Sequence, residues 1–270
     1  MDVLSSLRGG ETLCLDMVER PEWVEQKISE LNQVWFEAYQ RIYDLIKLED
    51  GSAVFGAFYA WGPGRTAKLQ CDASAMISPQ MFRRFVVPAL TAQCGWLDNS
   101  LCHLDGTQAM LHLDTLLQIE PLDAIEWTPQ AGIEPGGHPR WYDLYRRILA
   151  AGKAVQVVGV EPDEVIPLLD AIGRDGVYVL VQFKNERQVE ELLARTFHTL
   201  LSSAATECSN ILAAVAAVWS VRAKVKTAWR FCFSPHDLHG AGHGPPDQHR
   251  APSKYRGECE ICGLERVDSY

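Results

Sequence analysis

Three short stretches of the chain carry side chains whose types and spacing could do chemistry. His103-Leu104-Asp105-Gly106 sets an imidazole and a carboxylate two residues apart. On a strand, residues i and i+2 face the same side, so His103 and Asp105 can meet as a metal-ligand pair or as an oriented acid–base pair. The alternative is structural: His103 buried against a neighbouring carboxylate, and Asp105 capping a helix through the backbone N–H of Thr107 or Gln108. Cys71-Asp72-Ala73-Ser74 offers a second acid ahead of a helix start, or an Asx-turn. Glu126-Trp127 joins a third acid to an aromatic that would floor a pocket, and the Gly-rich stretch 130–138 after it reads as a loop over the site. Arg65 and Lys184 are the cations expected near the same mouth. Cys259-x-x-Cys262 has no second pair at zinc-knuckle spacing, so it does not make a tetrahedral site.

These groups have to be held by strands and helices, and the chain supplies an alternation of both. Strand-like runs at 67–71, 100–104, 122–127, 154–160 and 177–183 are each followed by a helical pattern. The first of those helices opens at Ser78-Pro79, and the others span 107–117, 139–149, 162–172 and 186–194. A further helix is expected over 21–47, with Pro21 in its first turn. Strands alternating with helices mean βαβ units and a parallel sheet. AVQVVGV and GVYVLVQF are nearly continuous apolar runs, as buried parallel strands are. No G-x-G-x-x-G follows a strand, which weighs against a dinucleotide-binding sheet. The polar residues Asp72, Asp105, Glu126, Glu161 and Lys184 gather at the carboxyl ends of the runs, where a barrel keeps its active site. The expected fold is therefore α/β, a (β/α) TIM-barrel type. With about five βα units against the eight a barrel needs, it is an incomplete one.

Composition narrows the partners. The formal charge of −10 over 270 residues argues against a nucleic-acid binder. No apolar run is long enough for a membrane span, and no signal-peptide pattern opens the chain. Eight irregularly spaced cysteines read as reduced thiols in a cytoplasmic protein. Residues 1–200 carry 28 acidic and 17 basic side chains, against 7 and 8 in residues 201–270. The tail segment SPHDLHGAGHGPPDQHRAPSKYRG is rich in Gly, Pro and His and has no apolar period. The expected organisation is an α/β portion over 1–199 and an unrelated, disordered tail over 200–270.

Residues 69–88, LQCDASAMISPQMFRRFVVP, resemble the signature of the uroporphyrinogen decarboxylase superfamily. That signature is a strand, a short polar loop, then a helix of the form Ser/Gly-Pro-x-x-Phe-x-x-Phe-x-x-Pro, met here by Ser78-Pro79, Phe82, Phe85 and Pro88. Residues 103–106, 123–128 and 16–23 are similar in placement, and the resemblance covers about residues 11–197. It implies a barrel and one of two chemistries. The first is a cofactor-free carboxy-lyase acting on a tetrapyrrole in porphyrin biosynthesis. The second is a corrinoid methyltransferase whose zinc is held by a His-x-Cys pair and a later Cys. The N-terminal third that carries the decarboxylase's catalytic Asp and its arginines has no counterpart here. His103 matches the methyltransferase His, but Asp105 stands at the Cys position and no Cys stands at the end of the last strand, at Gln182-Phe183. A carboxylate is a harder ligand than a thiolate.

The expectations are thus Asp72, His103 and Asp105 as catalytic residues, with Arg65, Glu126, Trp127 and Lys184 on the substrate. The substrate would be a small molecule, tetrapyrrole or corrinoid. No cofactor is needed in the first reading; zinc on His103 and Asp105, with Glu126 as a third ligand, belongs to the second. A third reading is an inactive, truncated remnant.

Overall fold

The computed structural model describes residues 1–204, with side chains as far as residue 196. Beyond Ala204 the tail, with Cys259 and Cys262, lies outside the described residues. Three helices come first: α1 (Asp2–Arg8), α2 (Gly10–Glu19) and α3 (Pro21–Ile46). Pro21 opens α3, where its missing N–H costs nothing. An antiparallel hairpin follows, β1 (Ser52–Phe55) and β2 (Ala60–Pro63), which the sequence pattern does not predict. The turn between them carries Tyr59 at φ 50, a left-handed conformation unusual for a side chain of that size.

Five parallel strands then alternate with helices: β3 (Thr66–Gln70), β4 (Asn99–Asp105), β5 (Ala124–Thr128), β6 (Ala154–Val160) and β7 (Val177–Val181). The first crossover is a continuous helical stretch, α4 (Pro79–Met81), a π turn (Phe82–Val86) and α5 (Val87–Trp96). Ser78 caps it, accepting from the Met81 N–H. Pro88 has no N–H to give the carbonyl four residues back, which accounts for the widened turn just before it. The next crossover, expected as one helix over 107–117, is broken into α6 (Gly106–Ala109), a 3-10 turn (Met110–His112) and α7 (Leu113–Leu117). The last three helices are α8 (Tyr142–Ala150), α9 (Val165–Ile172) and α10 (Glu186–Ala204), which runs past the end predicted at residue 194.

The strands lie in chain order, β3-β4-β5-β6-β7, each parallel to the next. This is an open five-stranded sheet, and no closed barrel is seen among the described residues. Register decides what each face carries. The row Leu69, Cys102, Ile125, Val155, Val177 faces the helices. Together with Leu104, Trp127, Val157 and Val179 it builds the main core against Phe82, Phe85, Tyr145, Ile148 and Leu168. Side chains of this size contribute about 1.5–3 kcal/mol each when fully buried. The alternate row is polar on all five strands: Gln70, His103, Glu126, Gln156 and Tyr178. One pleat below it, Leu101, Ala124 and Ala154 pack on Phe58 from the hairpin turn. Gln156 Nε2 donates to the Phe58 carbonyl at 2.7 Å, and the Tyr178 hydroxyl to the Tyr59 carbonyl at 3.1 Å. The hairpin is therefore moored on the face opposite the helices. Among the described residues no helix is long and apolar enough to cross a membrane.

Candidate functional site

The polar row is richest at β4 and β5, where His103 stands opposite Glu126 in register. Glu126 is fully buried, and a buried carboxylate has to be partnered. One of its oxygens bonds His103 Nδ1, and the other accepts from the Thr128 hydroxyl at 2.5 Å. With the Nδ1 N–H donating to the Glu126 carboxylate, the lone pair of the neutral imidazole sits on Nε2. Nε2 lies 4.0 Å from Asp105 Oδ1. Asp72, on the neighbouring β3 end, completes the group: ligand atoms of Asp72, His103 and Asp105 all lie within 4.8 Å of one another.

Asp72 is set by its own neighbours. Gln70 Nε2 donates to Asp72 Oδ2 at 2.7 Å. The backbone N–H groups of Asp72 and Ala73 donate to the Asp2 carboxylate at 3.1 and 3.0 Å, so α1 ties down the loop. From below, His112 Nε2 donates to the Ser74 carbonyl at 2.9 Å while its ring stacks on Phe82 at 4.2 Å. Partial burial, then the nearby Asp2 carboxylate, pushes the Asp72 carboxyl above the usual carboxylate range; the neighbouring His103 acts the other way. Burial holds the His112 ring below the usual imidazole value. Beneath His103 the Phe58 ring lies 5.3 Å away, with Lys68 Nζ 4.3 Å from that ring's centroid.

The structure therefore brings together Asp72, His103, Asp105 and Glu126, and corrects several other expectations. Asp105 makes no capping bond to α6. The Gln130 side chain does so instead, accepting from the Thr107 N–H at 2.8 Å and its hydroxyl at 2.7 Å. Glu126 does not face the mouth as a free third ligand or substrate contact; both of its oxygens are engaged beneath it. Trp127 follows Glu126, so alternation sends it to the helix face, where it is fully buried with its ring 5.0 Å from that of Trp141. Arg65 precedes β3 and stands at the amino end of the sheet, paired with Asp98 at 3.3 Å and lying over the Trp96 ring. Lys184 is exposed after β7, at the edge of the sheet away from β3, and its N–H donates to Gln188. The loop 130–138 divides: Gln130 reaches α6 beside Asp105, while Glu134 and Gly136 pack on the 139–150 helical stretch, the Tyr145 hydroxyl donating to the Gly136 carbonyl at 2.7 Å and Trp141 Nε1 to the Glu134 carbonyl at 3.0 Å. Lys68, Gln70 and Thr128 belong to the site and were not singled out in the sequence. The two-residue spacing that pairs His103 with Asp105 also puts Thr128 with Glu126, and Lys68 with Gln70.

The donor set suits a divalent cation. Tetrahedral ligands on zinc lie about 3.3 Å apart for bonds of about 2.0–2.1 Å. The three ligand atoms now stand within 4.8 Å of one another, with the half-exposed Asp105 at 4.0 Å from His103, so the side chains would draw together around an ion. Glu126 behind His103 is the carboxylate that fixes tautomer and ring orientation in metal-bound histidines. Two carboxylates and one imidazole form a harder set than thiolates, suited to zinc or manganese and to oxygen-bearing substrates. No family model matches the chain, and no match to it is found among curated proteins or solved structures.

Proposed function

We propose that this chain is part of a TIM-barrel-type enzyme of the uroporphyrinogen decarboxylase superfamily, in which Asp72, His103 and Asp105 hold a divalent metal that acts on a small organic molecule. Support for the barrel is the strand order, which runs β3 to β7 without the reversal that marks a doubly wound sheet. Support for the metal is one observation: His103 is committed through Nδ1 to buried Glu126 and is grouped with two carboxylates, Asp72 and Asp105, the second of which makes no helix cap. With Arg65 at the other end of the sheet, the mouth is acidic, which disfavours a polyanionic tetrapyrrole and favours a cation. Of the superfamily's two chemistries this is nearer to the metal-assisted methyl transfers. The metal would supply a positive charge that activates a bound oxygen or sulfur group; the chain's part is to align His103 through Glu126 and Asp72 through Gln70.

The test is metal analysis of the full chain after dialysis against Zn2+ or Mn2+. One ion per chain is expected, with affinity reduced at least about tenfold by His103→Ala and by Asp105→Asn, and unchanged by Arg65→Ala. Absence of stoichiometric metal overturns the reading. One arrangement favours a second, metal-free carboxy-lyase: Asp72, whose carboxyl is raised by partial burial and then by Asp2, stands beside His103 and Asp105 as a candidate general acid for the carbon that loses carbon dioxide. That reading expects decarboxylation in the presence of chelator and its loss in Asp72→Asn.

A further inference from the structure

The outer edge of β3 pairs with no strand among the described residues. Along that edge, between β3, α3 and the α4–α5 stretch, lies a cavity of about 280 Å³, close to the lower end of the range for small-molecule pockets. One part of its wall is apolar, with Ile28, Trp35, Phe85, Val86 and Leu90. The other is polar, with Lys68 and Gln70. The two characters follow from the alternation of β3. Leu69 turns to the helices while Lys68 and Gln70 turn to the other face, and at a free edge both faces open into one space.

Lys68 is the telling residue. It is half-buried, and its ammonium donates to Gln70 Oε1 and lies 4.3 Å from the centroid of the Phe58 ring. Among the described residues no carboxylate forms an ion pair with it. An ammonium held by a neutral amide and a ring has room for a charged partner, and an anion is that partner.

The geometry points to an amphipathic organic monocarboxylate as the ligand of this cavity, its carboxylate on Lys68 Nζ and Gln70 and its apolar body among Trp35, Phe85 and Leu90. A single carboxylate fits because Asp2 also lines the cavity and would repel a second. At about 280 Å³ the cavity is near the lower end for small-molecule pockets, which suits a medium-length chain such as that of octanoate. Gln70 also donates to Asp72 at 2.7 Å, so the bound carboxylate would sit one residue from the proposed metal cluster. The inference does not require that metal.

Isothermal titration of the full chain in chelator-containing buffer, with octanoate and with 1-octanol as probes, tests it. One octanoate per chain is expected, with octanol at least tenfold weaker. Lys68→Met should cost octanoate at least tenfold and leave octanol unchanged. Ala89→Trp, which adds bulk to the cavity wall, should abolish both, with an unchanged circular dichroism spectrum. Equal affinity for the two probes, no octanoate binding, or full binding by Ala89→Trp overturns the proposal. So does a dimer, seen by sedimentation, that excludes octanoate, since a second copy would then occupy the edge. Because chelator is present throughout, failure of the metal reading leaves these outcomes unaffected.

Discussion

Asp105 stands at the entrance of α6 with its carboxylate uncommitted, while Gln130 reaches across from the loop after β5 to hold the first turn. The two residues should therefore separate in stability. In urea denaturation, Gln130→Ala is expected to cost about 1 kcal/mol, the usual cost of losing a helix cap, and Asp105→Asn less than about 0.5 kcal/mol. The reverse order would return Asp105 to a structural role. Much of this site could be read from residue spacing: the two-residue period placed His103 and Asp105 on one face, and Asp72 and Glu126 at neighbouring strand ends. The same period separates Trp127 from Glu126, and the direction of β3 puts Arg65 at the wrong end; both follow from rules already in hand. The Gln130 cap could not be read, because it joins residues 23 apart through a side chain with no local signal. That His103 could rest against a neighbouring carboxylate was one of the two readings of its sequence; that the carboxylate is Glu126 depends on the register between β4 and β5.

At the scale of elements, the helices α1, α2 and α3 are joined by one carboxylate. Asp16 is buried and accepts from Arg8 Nε at 2.6 Å and from the Arg20 guanidinium. These bonds, Arg8's first and then Arg20's, hold its carboxyl down to about 2. A carboxyl depressed in the folded state stabilises it above the unfolded value near 3.9, and that contribution is lost as pH falls toward about 2. Both arginines also lie over the Trp23 ring, at 5.7 and 4.9 Å from its centroid. Acid titration should thus free α1 and change Trp23 emission between about pH 4 and 2, and Asp16→Asn should show the freed signal at pH 7. A pH-independent Trp23 signal would contradict this linkage. Release of α1 takes Asp2 away from the Asp72 loop, so the same change should weaken any metal bound there. The repeating strands and helices were legible because long apolar periods mark them. The hairpin was not: SAVF and AWGP are too short to show a period, and they cohere through carbonyls taken up by Gln156 and Tyr178 about a hundred residues later.

Over the whole sheet, protection should be graded by position. β5 is paired on both sides, and Ile125, Glu126 and Trp127 are all fully buried, so their amides should exchange slowest. β3, with one free edge, should exchange faster. Zn2+ should narrow the gap, because Asp72 at the end of β3 would then be joined to His103 on β4; equal exchange with and without the ion would count against the cluster. The strand order has one more consequence, for the chain as it emerges from the ribosome. Each strand pairs with the one made just before it, so every new unit meets a finished edge and leaves a fresh one behind it. His103 waits only 23 residues for Glu126. Its imidazole can therefore be aligned before β6 and β7 have been translated.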